Sequence, residues 1–269
     1  MGLFKNLFGN KQQTEIPKHP LHKEEWDTYF TNVDDKLGPI LVDLGLKSIA
    51  PINDMGSLVW ISIQMNNSRE DGLSSSEESE KLYEIEDNLV NGLTQKFDCV
   101  YPGRLTSNGH RDLYFYFSDS LLFDKTISEV MVAYPNYEYD FGVKEDTEWG
   151  GYLNFLYPLP SQYQSMLNRR VLDNLAEHQD KNELPRKVDH YLYFTTETDR
   201  LGFIKAVEDA KFSIENQDKR DDSDFSYTLH LTRVDPVDQN SIDDCTIELS
   251  KKAKQFNGYY DGWGCPIQK

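Results

Sequence analysis

Carboxylates dominate the reactive groups of this 269-residue chain, with 46 Asp and Glu against 28 Lys and Arg. Glu84, Glu86 and Asp87 are one close set, and on a helix Glu84 and Asp87 share a face. Glycoside hydrolysis needs two carboxylates on opposite sides of a bond, normally from separate elements lining a cleft. These three sit on one stretch with the pattern of a solvated helical face, so no hydrolytic pair is expected. Metal binding would need convergent Cys, His or carboxylate donors. His19 and His22 fall in a polar leader, His110 at a turn, His178 near a helix end, and His190 and His230 in strand-like runs. Cys99, Cys245 and Cys265 form no CxxC, and Cys245 reads as core-facing on its helix. No metal and no cofactor is therefore assigned.

Nucleophilic chemistry has equally little support. There is no G-x-S-x-G, and Ser74–Ser76 read as a helix cap. Gly150-Gly151 is not followed by a helix carrying Lys and Ser/Thr, so it is no phosphate loop. Arg104, His110 and Arg111 flank one hairpin and offer a small anion site, set against pairing of the arginines with acids such as Asp112. The aromatics are better placed for recognition, because Tyr and Trp bury large rigid surfaces at little entropic cost. The candidates for protein binding are Tyr191, Tyr193, Tyr227, Tyr259, Tyr260, Asp261 and Trp263, with Tyr114 and Tyr116 serving the earlier half.

The elements that would carry these residues follow from periodicity. Residues 38–44 and 57–65 are dense in β-formers. After Asp71-Gly72, Leu82, Ile85, Leu89 and Leu93 recur at helical spacing. Asn108-Gly109 between two β-rich runs signals a hairpin. A short helix near 121–130 and a strand over 137–143 follow, and 149–160 is an aromatic closing flap or boundary. Residues 162–178 read as a connecting helix and 181–187 as a polar connector. Beyond them come a strand (188–194), a helix opened by Thr196, strands at 212–215 and 225–234 around a charged loop, and a helix through Phe256. Gly258 suits that helix's C′ position.

Both halves thus spell β-α-β-β-α-β, the first after two leading strands. The expected fold class is α+β, two domains, each a ferredoxin-like sandwich with a four-stranded sheet and both helices on one face. The expected organisation is a flexible leader at 1–21, a domain at 22–160, a connecting helix and linker at 161–185, and a domain at 186–269.

The net charge of -18 excludes direct nucleic-acid binding without a concentrated basic patch, and none is visible. An RNA-recognition module shares this element order and stacks bases on sheet aromatics, but it needs a basic approach path. The first half is the more negative. No run of eighteen apolar residues marks a membrane span. Three widely spaced cysteines and no export signal lead us to expect a cytoplasmic protein.

Two groups of residues carry a family resemblance. His190-Tyr-Leu-Tyr-Phe-Thr195, Gly202-Phe203, Leu231-Thr-Arg-Val-Asp235, and Ala253, Phe256, Gly258 and Tyr260-Asp-Gly-Trp263 resemble the regulator of ribonuclease E activity B (RraB) family over roughly 186–269. Trp60, Asp71-Gly-Leu73, Ile85-Glu-Asp87, Gly103-Arg-Leu-Thr106, Leu113-Tyr-Phe-Tyr116, Trp149, Tyr152 and Tyr157-Pro158 resemble the bacterial DUF695 family over roughly 22–160. The first resemblance implies a ferredoxin-like fold and inhibition of a ribonuclease by protein contact; the second implies no chemistry. Together they lead us to expect a non-catalytic regulator that binds and inhibits or modulates a partner protein, a ribonuclease or other basic nuclease. The alternatives are an immunity protein neutralising a basic toxin, and a hydrolase with its site in an inter-domain cleft.

Overall fold

The computed structural model describes residues 20–33, 35–118, 122–220 and 224–269. All but the last two residues of the expected leader, His19 included, lie outside these, as do Leu121 of the expected short helix and 221–223 of the charged loop. The described residues form two compact units, dividing between Tyr157 and Pro158. Each carries one antiparallel sheet, of six and four strands respectively.

In the first unit, β1 (Trp26–Val33) and β2 (Lys36–Asp43) precede β3 (Ser57–Gln64), α1 (Ser76–Lys96), β4 (Cys99–Ser107), β5 (His110–Phe117), α2 (Phe123–Met131) and β6 (Tyr139–Glu145). The sheet order is β1-β2-β4-β5-β3-β6. α1 starts where the Ser75 hydroxyl accepts the Glu78 N–H, and Glu77 and Glu78 in its first turn suit the helix dipole. Its Leu82, Ile85, Leu89 and Leu93 meet Val59, Ile61, Ile63, Leu113, Phe115 and Phe117 from the sheet, and Phe123, Ile127 and Met131 from α2. The hairpin turn has positive φ at both Asn108 and Gly109, the geometry that suits the twist of its strands. Gly103 sits at a bulge in β4, where a Cβ would lie 2.2 Å from the Leu41 carbonyl of β2.

The opposite face of this sheet is covered by the chain's own closing segment. The Trp149 ring stacks on Tyr116 at 4.0 Å, and its indole N–H donates to the Met55 carbonyl. A wide helical turn, Gly151–Leu156, follows, and from it the Tyr152 hydroxyl donates to the Asp43 carbonyl. His22 also packs here, its Nε2 2.6 Å from the buried Asp43 carboxylate, so it is no part of a leader.

The second unit runs α3 (Pro160–Glu177), β7 (Arg186–Phe194), α4 (Glu197–Ala206), β8 (Ser213–Lys219), β9 (Tyr227–Asp235), α5 (Gln239–Gln255) and β10 (Gly258–Gly264), with sheet order β10-β7-β9-β8. Thr196 and Asp238 cap α4 and α5 by accepting the N–H three residues on. Leu192, Phe194, Leu229 and Leu231 pack under Phe203, Leu249 and Ala253. The helix expected as a connector belongs to this unit and builds a second cluster, in which Leu172 and Leu175 of α3 pack with Val188, Val237 and Ile242. The left-handed residue ending α5 is Asn257, not Gly258. Gly258 opens β10 instead, where a Cβ would lie 2.4 Å from the Phe194 ring.

Candidate partner-binding face

Strand alternation sorts the candidates of the second unit onto two faces. On β7, Val188, His190, Leu192 and Phe194 are buried under the helices, while Asp189, Tyr191 and Tyr193 point the other way. β9 adds Thr228 and His230 to this open face, and β10 adds Tyr259. The Tyr191 ring stacks on His230 at 4.8 Å, and His230 Nε2 lies 2.7 Å from the Asp189 carboxylate. Tyr193 stacks on Tyr259 at 5.1 Å, Phe225 meets Tyr259 edge-on, and the Arg220 guanidinium lies over Tyr193. Tyr191 and Tyr259 are each about 40 % exposed. Burial raises the Tyr259 pKa, with the Asp261 carboxylate adding to it. The result is a flat aromatic surface bordered by carboxylates, suited to packing against another molecule.

Three sequence candidates are not on this face. Tyr227 pairs with Phe194 and packs on the core margin, with Arg200 and Lys219 over its ring. Tyr260 is buried, its hydroxyl 2.9 Å from His190 Nδ1. Trp263 would follow Tyr259 and Asp261 outward by simple alternation. Instead, the register slips between Tyr260 and Gly262, leaving exposed Asp261 as the extra residue and turning Trp263 to the helix side opposite His190.

The candidates of the first unit also separate. Tyr116 is buried beneath Trp149; its hydroxyl donates to Asp146 at 2.6 Å and accepts the Tyr152 N–H. Tyr114 is half-buried against Phe155. The anion site does not form, because the arginines already hold an anion. Glu86, expected in solvent, is buried and takes Arg104 on one oxygen and Arg111 on the other, with Tyr101 donating as well. The Tyr83 ring lies 5.0 and 4.6 Å from the two guanidiniums. His110, the neighbour of Arg111 in sequence, points to the opposite side of the sheet, 3.4 Å from the Ser62 hydroxyl.

Two constellations escaped sequence reasoning because no short spacing announces them. In the first unit, Trp60, Asp112, Tyr114, Lys144 and Phe155 line a cavity of about 560 Å³. Burial raises the Asp112 pKa, and its buried Oδ1 makes no hydrogen bond within the protein. In the second unit, His190, Asp235 and Cys245 converge from β7, the end of β9 and α5. Burial lowers the His190 pKa to about 4 and raises that of Cys245 to about 11, so both are neutral near pH 7.

Fold and surface together define a two-unit protein of helices and antiparallel sheets whose second sheet leaves an aromatic face open. Residues 24–157 match the family described as "Family of unknown function (DUF695)", and residues 165–265 match the family described as "Regulator of ribonuclease activity B", RraB. The chain therefore pairs an N-terminal stretch matching DUF695 with a C-terminal, RraB-like stretch. The second match begins within α3, the helix whose Leu172 and Leu175 pack in the second unit. A search of curated proteins returned no match. Among solved structures the chain is similar to an unknown protein from Galdieria sulphuraria at 9 % identity, covering 79 % of this chain and 99 % of that one, with a TM-score of 0.23. Among the described residues no helix is long and apolar enough to cross a membrane.

Proposed function

We propose that this chain is a non-catalytic cytoplasmic regulator that modulates a ribonuclease by binding it, with the open face of the second unit as the contact surface. The observation that carries this reading is the exposed stacked set Tyr191, His230, Tyr193 and Tyr259 on the module that matches a family of ribonuclease regulators. Large aromatics held by neighbours lose little entropy on binding and form the usual energetic centres of interfaces. The net charge of -18 steers such a surface toward a basic segment and away from RNA. The carboxylates of Asp189 and Asp261 at the rim act in the same sense. The antiparallel order β10-β7-β9-β8 supports a ferredoxin-like sandwich for this module, and β4-β5-β3-β6 supports the same topology within the first. Three widely spaced cysteines suit a reducing compartment.

The test uses the intact chain as bait in lysate of its own host at low salt and at about 0.5 M salt, where surface electrostatics are screened. Any retained ribonuclease is then assayed for RNA turnover with and without the purified chain. Salt-sensitive capture of a ribonuclease whose turnover changes supports the reading. Capture of a basic toxin instead moves the function to immunity, and failure to alter any ribonuclease overturns the proposal.

A further inference from the structure

We propose that His190, Asp235 and Cys245 form a binding site for a single divalent transition-metal ion of the zinc class. Each residue offers one donor atom, and the three atoms lie within 4.8 Å of one another. Cys245 Sγ is 3.7 Å from His190 Nε2. A tetrahedral zinc, with bonds of about 2.3 Å to sulfur and 2.0–2.1 Å to nitrogen, spaces those two donors by about 3.6 Å. The His190–Cys245 pair stands near the required separation, and an Asp235 carboxylate oxygen within 4.8 Å of both needs only a side-chain adjustment to complete the set. A thiolate, an imidazole and a carboxylate together select a borderline ion such as Zn²⁺ or Co²⁺ over Mg²⁺ or Ca²⁺, which prefer oxygen alone.

The surroundings orient the donors. His190 Nδ1 lies 2.9 Å from the Tyr260 hydroxyl, so a proton held there leaves the Nε2 lone pair facing Cys245. Arg233 Nε donates to one Asp235 oxygen at 2.7 Å and fixes that side chain. Thiolate and carboxylate supply two negative charges against the two of the ion. The thiol proton passes to solvent as the sulfur–metal bond forms. Asp235 and Cys245 border a cavity of about 290 Å³ that Asp244 and Glu248 also line, which leaves room for a fourth ligand or a water. The site goes beyond the regulatory reading and does not depend on it.

The experiment titrates the reduced, metal-free full chain with Co²⁺. The expected result is a thiolate-to-cobalt charge-transfer band that saturates at one equivalent and is displaced by Zn²⁺. The band disappears in Cys245→Ser and persists in Cys99→Ser and Cys265→Ser. Asp235→Asn keeps the thiol and the packing, and binds Co²⁺ at least tenfold more weakly with an unchanged circular dichroism spectrum. Absence of the band at one equivalent, its survival in Cys245→Ser, its loss in Cys265→Ser, or unchanged affinity in Asp235→Asn would each overturn the proposal.

Discussion

The indole N–H of Trp263 donates to the side-chain oxygen of Asn168 at 3.0 Å, tying the last strand of the chain to α3. Asn168 is fully buried and passes its own N–H bonds to Asp243 and Thr246 of α5. One amide thus joins three elements, and its removal would leave buried Thr246 and half-buried Asp243 and Trp263 each short of a bond. Asn168→Ala should cost about 1–3 kcal/mol of stability, and Trp263→Phe about 1 kcal/mol. Chemical denaturation of the full chain checks both, and a cost near zero for Asn168→Ala would show that water or repacking replaces the network.

Exposed and buried tyrosines should behave oppositely. Tyr191→Ala and Tyr259→Ala, on the open face, should change stability by no more than about 0.5–1 kcal/mol. Together they should weaken binding of the proposed ribonuclease partner by tenfold or more. Tyr116→Phe removes the bonds to Asp146 and Tyr152 and should lower stability by about 1–3 kcal/mol while leaving that binding unchanged. Equal effects on binding from both sets would argue for an indirect role of the face.

Asp180 and Arg186 form a buried pair, with Arg186 Nη1 within 2.7 Å of both carboxylate oxygens and the Gln268 N–H donating as well. Burial alone would raise the Asp180 pKa, but the arginine and the backbone N–H outweigh it and hold the carboxyl below its usual range. A depressed carboxyl pKa means that the unfolded chain binds the proton first as pH falls. The stabilisation is therefore complete above about pH 4–5, the unfolded carboxylate range, and is lost as pH drops through the lower folded value. Unfolding measured between pH 7 and pH 3 should show this loss, and Asp180→Asn should flatten it. Arg186→Met, which strands the carboxylate, should cost about 3–5 kcal/mol near neutral pH.

Glu86 plays the corresponding part in the first unit. Replacing it with Ala leaves Arg104 and Arg111 facing each other under the Tyr83 ring, and the expected loss is about 3–5 kcal/mol. Glu84→Ala, on the exposed side of the same helix, should cost far less, because solvent screens its ion pair. Thermal melts of the two variants provide the comparison.

The end of α5 gives a backbone test. Asn257→Gly relieves a left-handed residue and should leave stability within about 1 kcal/mol of the native chain. Gly258→Ala drives a methyl into the Phe194 ring and should cost about 1–3 kcal/mol. The reverse order in denaturation midpoints would place the demand for glycine at the helix end after all.

Period, capping and turn chemistry are local, and so the order of elements was legible in the residues alone. Leu82, Ile85, Leu89 and Leu93 announce α1, Thr196 the start of α4, and Asn108-Gly109 the hairpin. The open face was half legible. Alternation places Tyr191 and Tyr193 together, but one extra residue at Asp261 reverses the side taken by Trp263, and no local signal marks that bulge.

By itself the sequence determined two β-α-β-β-α-β strings, an acidic surface and the aromatic strands of a recognition module, because these depend on neighbours a few residues apart. Only the tertiary structure decided that Trp149 covers Tyr116, that Glu86 neutralises two arginines, and that His190, Asp235 and Cys245 meet. Each joins residues distant in the chain, and their approach is set by strand order, register and helix docking, which the spacing of residues along the chain does not encode.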